Sequence, residues 1–137
     1  MEMKKYKQNE IKEHNYFYAG GDMNRRKHAQ GKPGTSRQQD VRKRFYRIRH
    51  DEPDFQPFGY IDIPYIHKAR LEALEHEVKA TLVDEGCMNT GNDHFEFTMA
   101  KGISVQDNYA IFCARALQLA MRYCDDHGLK YTFTWLA

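Results

Sequence analysis

The chain has 137 residues, 41% of them hydrophobic and 29% charged, enough for one compact domain with its own core and too few for two. No run approaches eighteen apolar residues and the opening stretch MEMKKYKQNEIKEHN is polar, so neither a membrane span nor a signal peptide is expected, and the expected setting is cytoplasmic. The three cysteines, Cys87, Cys113 and Cys124, form no C-x-x-C pair, which argues against a disulfide framework and a structural zinc site.

A net charge of +2 hides a division. Residues 1–50 hold 14 Lys/Arg against 5 Asp/Glu, a net of +9, and residues 51–137 hold 7 against 14, a net of −7. Clustered cations are rewarded by polyanions through counterion release, so the first part is expected to meet phosphates. The plain alternative is that the two parts neutralise each other across the fold.

In chain order, residues 1–14 form a polar lead. Asn15-Tyr-Phe-Tyr-Ala reads as a strand ending at the turn Gly20-Gly21-Asp22, followed by a polar loop to Gly34. From Asp40 to about Arg49, Val41, Phe45 and Ile48 recur at helical spacing, with Asp40 as N-cap. DEPDFQP (51–57) reads as a connection. FGYIDIPYI (58–66) alternates as a strand ended or bent by Pro64. KARLEALEHEVKATLVDE (68–85) sets Leu71, Leu74, Val78 and Leu82 on one stripe, with Gly86 as the stop. HFEF (94–97) reads as a short strand. Ser104 with Asp107 caps a long helix whose apolar face is read as Ile111, Ala114, Leu117 and Met121, and Tyr131, Phe133 and Trp135 close the chain as a strand or docked tail.

Two stretches carry chemistry. KPGTSRQQDVRKRFYRIR (32–49) packs seven Lys/Arg into eighteen residues with Phe45 and Tyr46 interleaved. On the 68–85 helix, Glu75 falls at the inner edge of the apolar stripe, where a carboxylate is costly to desolvate unless it has a partner. A divalent cation would be such a partner. An ordinary boundary glutamate turned toward water is the plain alternative.

The order of these residues resembles the GIY-YIG nuclease superfamily, in its phage and large-virus branch, where the second signature often reads Lys-Ile-Gly-x-Thr. The match runs through Tyr16-Phe-Tyr-Ala, Lys32-Pro-Gly-Thr, a helix bearing Arg42 and Tyr46, Pro57-Phe58, Ala73-Leu-Glu75 and Asp93-His-Phe-Glu-Phe97. Gly34 to Arg42 is eight residues and Arg42 to Glu75 thirty-three, over roughly residues 15–97, or about 60% of the chain. The resemblance implies an α+β fold with a small, mainly antiparallel three-stranded sheet flanked by helices. The nuclease domain would span 15–100, and a C-terminal helix with a short strand or tail (101–137) would pack on it.

The implied activity is metal-dependent endonucleolytic hydrolysis of DNA phosphodiesters, with RNA left open, one Mg²⁺ or Mn²⁺, no membrane, and a homodimer as a further option. Tyr18, or Tyr16 in another register, would assist the attacking water. Lys32 would polarise or deprotonate it, Arg42 would bind the scissile phosphate, and Tyr46 would hydrogen-bond the phosphate or the base. Glu75 would hold the metal. Arg37, Lys43, Arg44, Arg47, Arg49 and Asn89 would contact nucleic acid, with Asn92 almost as well placed as Asn89. His94 is the one histidine expected near the site. If the source is viral, the setting is the host cytoplasm.

Pro33 departs from this pattern by removing a ladder donor, so its strand is expected to be short or an edge. A second alignment takes Tyr18-Ala19-Gly20 with Arg25, Arg26 and His28 as the second signature and Tyr6 as the first tyrosine, and keeps Glu75. Two other function classes stand beside the nuclease. One is a catalytically weakened nucleic-acid binder of the same fold, the other a non-enzymatic virion or partner-binding protein.

Overall fold

The computed structural model describes residues 10–23, 29–91 and 93–137. Strands β1 (Tyr16–Asp22), β2 (Ala29–Ser36), β3 (Phe55–Asp62), β4 (Met88–Gly91), β5 (His94–Phe97) and β6 (Thr132–Trp135) and helices α1 (Val41–Asp51), α2 (Lys68–Asp84) and α3 (Val105–Asp126) make an α+β domain. The three-stranded sheet expected from the resemblance is replaced by six strands in the order β4-β5-β2-β1-β3-β6, every neighbouring pair antiparallel. The central trio β2-β1-β3 is widened by β6 on one side and the β4–β5 hairpin on the other.

The period of two assigns each sheet residue to a face. Phe17, Ala19, Ile61 and Phe95 point into a core shared with α2 and α3, where Leu71, Leu74, Val78, Leu82, Phe112, Leu117 and Ala120 are buried. Tyr16 and Tyr18 point to the opposite face and form a smaller cluster with Val41, Phe45 and Ile48 of α1 and with Phe55. Tyr18 lies on this second face, whereas α2, which carries Glu75, packs on the first. The α2 stripe is buried as its spacing predicts, each residue at 2% exposure or less. That burial contributes on the order of 2 kcal/mol per side chain.

Several boundaries differ from the sequence expectation. β1 runs straight through Gly20-Gly21 because the Phe55 ring lies over Gly20 and the Tyr109 ring over Gly21, positions where a Cβ would overlap them. The supposed loop before Gly34 is strand from Ala29 onward, with Gly31 under the Phe112 ring. β2 is eight residues long and is an interior strand over Ala29–Gly31. β5 stops pairing at Gly31, so Pro33 occupies the stretch of β2 that has a strand on one side only, where a missing donor is tolerated. DEPDFQP is only partly a connection, since Phe55, Gln56 and Pro57 open β3 and a bulge absorbs Phe58 between the Ala19↔Gly59 and Gly20↔Pro57 pairs.

Helix caps follow the sequence closely. Asp40 accepts from the Arg42 backbone N–H and Ser104 from that of Asp107. Gly86 follows α2 with φ 102°. The buried face of α3 is Tyr109, Phe112, Cys113, Ala116, Leu117, Ala120, Tyr123 and Cys124, while Ile111 is 60% exposed. Of the four residues expected on that face only Leu117 is fully buried, because the helical phase set by Tyr109, Phe112, Cys113 and Ala116 turns Ile111 and Ala114 outward. Residues 10–14 are tied to the domain by an Ile11↔His67 bridge and by Lys12, whose carbonyl accepts from Asn15 Nδ2 and Tyr65 N.

Candidate functional site

Tyr18 stands in mid-strand on the α1 face, fully buried, with its ring edge-on to Phe45 at 5.6 Å. Its partner across the ladder is Gly34, and a Cβ there would overlap the phenolic oxygen. The Gly of Lys32-Pro-Gly-Thr therefore makes room for the hydroxyl of Tyr18, so these two stretches meet in space.

The hydroxyl meets a charged neighbourhood drawn from several elements. Arg44 Nε on α1 donates to it at 3.4 Å. Burial raises the phenol above its ordinary value, Arg44 opposes that rise, and the carboxylates of Asp93 and Glu75 add to it. Glu75 is 25% exposed and lies 3.5 Å from Lys79, one helical turn on, and Lys79 Nζ reaches Asp93 Oδ1 at 2.6 Å. Two hard carboxylates thus share a single cation. Their oxygen donors suit Mg²⁺ or Mn²⁺, which are held by one or two carboxylates plus water. No group of three or more His, Cys, Asp or Glu side chains gathers as a metal centre among the described residues.

One step along the strands, about 7 Å by the strand rise, a second polar cluster faces the same way. Lys32 pairs with Gly20, and continuing the Gly31↔Phe95 register by one residue sets Lys32 opposite His94. Lys32 Nζ lies 3.2 Å from Glu52 Oε2 and His94 Nε2 lies 2.5 Å from Glu52 Oε1. All three side chains are less than one-fifth exposed. Glu52 comes from the end of α1, so this one carboxylate ties the helix to both β2 and β5.

No known protein family, curated protein or solved structure matches the chain. Its chemistry is therefore read from its own side chains.

The structure brings Tyr18, Lys32 and Glu75 to one region and leaves other expected residues apart. Arg42 is 84% exposed and bound to its own N-cap, with Nε 3.1 Å from both Asp40 oxygens and a terminal nitrogen 2.8 Å from Oδ2. Tyr46 is 78% exposed on the outer side of α1. At about 100° per residue, Arg42 and Tyr46 lie on the flank of α1 opposite to Arg44, so Arg44 is the arginine that reaches the phenol.

Tyr16 is buried, donates to the Gln39 carbonyl at 3.0 Å and is pushed up to about 12, first by burial and then by Asp62 and Asp40. That makes it a packing residue with a satisfied hydroxyl. Arg37 donates to Asn15 Oδ1 and Arg49 to the Phe55 carbonyl. Lys43 and Arg47 are exposed. Asn89, on β4, accepts from Gly91 N and so shapes the hairpin turn. Tyr6, Arg25, Arg26, His28 and Asn92 lie outside the described residues.

His94 stands where its position in the Asp93-His94-Phe95-Glu96-Phe97 run suggested. Lys79, Asp93 and Glu52 were not expected as members. Lys79 was within reach of sequence reasoning as the i+4 neighbour of Glu75. Glu52 carried no signal, because a carboxylate in a proline-flanked connection looks solvated until α1 folds back over β2. No helix of the described residues is long and apolar enough to cross a membrane.

Proposed function

We propose that the protein is a metal-dependent endonuclease of the GIY-YIG type, hydrolysing phosphodiester bonds in DNA. The observation that carries this reading is the Tyr18 phenol, which takes a hydrogen bond from Arg44 of α1 and feels the charge of Glu75 and Asp93, two carboxylates that share Lys79. A buried phenol beside a guanidinium and a carboxylate pair suits a phosphate whose charge grows in the transition state.

In this reading Arg44, rather than Arg42, offsets the charge on the scissile phosphate. Tyr18, kept protonated by its surroundings, orients the attacking water as a donor. Lys32, held in place by Glu52, adds a second cation, and the Glu52–His94 pair would take the water's proton. Glu75 and Asp93 would hold one Mg²⁺ or Mn²⁺, with Lys79 giving way. The ion supplies charge stabilisation at the leaving oxygen. The exposed Lys43 and Arg47 would follow the backbone without reading sequence.

A second reading, a nucleic-acid binder without cleavage, is favoured by the complete burial of Tyr18 and by the pairing of Lys32 with Glu52, which keeps both from an outside phosphate. Supercoiled plasmid incubated with Mg²⁺, Mn²⁺ or EDTA separates the two. The nuclease reading expects nicking that needs metal and falls at least 100-fold in Glu75→Ala and in Arg44→Ala, on the order of what one positioned charge contributes. Retardation without nicking would hand the protein to the second reading.

A further inference from the structure

On the outer face of α1 the nuclease reading leaves Arg42, Tyr46 and His50 without a role. Arg42, Tyr46 and His50 follow one another at i, i+4 and i+8, so three planar side chains form a ridge with steps of about 6 Å along the axis. Together with Asp40, Lys43 and Arg47 they line a shallow open depression. Tyr46 is the most exposed large hydrophobic side chain among the described residues, at 78%. The Arg42 guanidinium is not loose, because its bonds to Asp40 hold its plane at one end of the ridge. Residues 40–51 carry five Arg/Lys against Asp40 and Asp51, a net of +3.

We infer that this ridge binds single-stranded nucleic acid, with an unpaired base stacked on Tyr46 and the neighbouring phosphates held by Lys43 and Arg47. The spacing carries the argument. The attachment points of these planar groups are about 6 Å apart along the helix axis, close to twice the 3.4 Å stacking rise, so a base stacked on Tyr46 would have the guanidinium of Arg42 or the imidazole of His50 within reach. A duplex buries its base faces inside its own stack and has no use for an exposed ring. The cations at i+1 of Arg42 and of Tyr46 stand beside the ridge, where a strand's backbone would run. The inference rests on the nucleic-acid partner and the Lys43 and Arg47 backbone contacts of the proposed nuclease, and it gives the substrate a single-stranded segment outside the Tyr18 site.

The test is fluorescence anisotropy in EDTA, where cleavage does not interfere, with labelled oligo-dT, the same length carrying abasic sites, and a duplex. Oligo-dT is expected to bind more tightly than the abasic strand. Tyr46→Ala should cost on the order of 10-fold or more on oligo-dT and little on the abasic strand, while Tyr46→Phe retains binding because the ring and not the hydroxyl is used. Tyr46→Trp should keep affinity and lose indole fluorescence on binding. Lys43→Ala with Arg47→Ala should weaken all three ligands and flatten the salt dependence.

Equal affinity for oligo-dT and the abasic strand would overturn the inference, as would equal losses on single strand and duplex in Tyr46→Ala. So would displacement of oligo-dT by poly-glutamate at matched charge, which would mark a general anion surface. Plasmid left uncut in Mg²⁺ with oligo-dT binding intact would refute the nuclease alone. No binding of any strand at low salt would remove both.

Discussion

Replacing Gly34 by alanine tests whether the Tyr18 hydroxyl is seated where the site requires it. The added Cβ would overlap the phenolic oxygen and come within 2.6 Å of Cζ. Tyr18 has no room to retreat, since it is fully buried and set against Phe45. Overpacking of this kind costs about 1–3 kcal/mol. Gly34 is not in the left-handed region, so alanine meets no backbone strain and gains about 0.5–1 kcal/mol from a less flexible unfolded chain. The expected net loss is about 1–2 kcal/mol, measured by urea denaturation followed by far-UV circular dichroism. Removing the oxygen with Tyr18→Phe relieves part of the overlap, so Gly34→Ala should cost about 1 kcal/mol less in the Tyr18→Phe background. A Gly34→Ala variant as stable as the parent, or strictly additive with Tyr18→Phe, would refute the packing argument and with it the link between the Lys32-Pro-Gly-Thr stretch and the β1 tyrosine.

Three further outcomes follow from the same contacts. Lys32→Met removes one partner of the buried Lys32–Glu52–His94 cluster and should cost about 2–4 kcal/mol by denaturant unfolding, because Glu52 is left buried with one cation fewer. No loss would mean that Glu52 turns out to water. Tyr109→Phe deletes a hydroxyl that donates to the Asp22 carbonyl at 2.8 Å and accepts from Gln30 N at 3.0 Å. Two backbone groups lose this hydrogen bond, for about 1–3 kcal/mol, and hydrogen exchange at Gln30 should rise with it. His14 is raised above 6.5, first by its hydrogen bond to Asp62, against a smaller opposing effect of desolvation. Its stabilisation is therefore fully present below pH 6.5 and lost as pH rises through the folded-state value. An NMR titration should place the His14 imidazole above the free histidine value, and Asp62→Asn should bring it back. An unshifted His14 would refute the pairing.

The sequence by itself determined the elements whose pattern is local. Val41, Phe45 and Ile48 behind the Asp40 cap, and Leu71, Leu74, Val78 and Leu82 ahead of Gly86, read directly as α1 and α2, since a stripe at helical period has one way to be buried. Strands rich in glycine were less readable. Gly20-Gly21 and Gly31 look like turn residues until Phe55, Tyr109 and Phe112 arrive from 35 to 88 positions away to lie on them.

Tertiary structure alone decided which arginine meets Tyr18. Arg42 and Arg44 are two residues apart in one basic run, and their roles separate only when the Val41–Phe45–Ile48 stripe fixes the rotation of α1 against the sheet. That rotation turns Arg44 toward the phenol and leaves Arg42 and Tyr46 facing water. It also brings Glu52 over β2 to meet Lys32 and His94, residues 20 and 42 positions away. Spacing along a chain fixes what a helix can present. Only its packing on the sheet fixes which side is presented to the site, because the angle of rotation is set by side chains that lie elsewhere in the sequence.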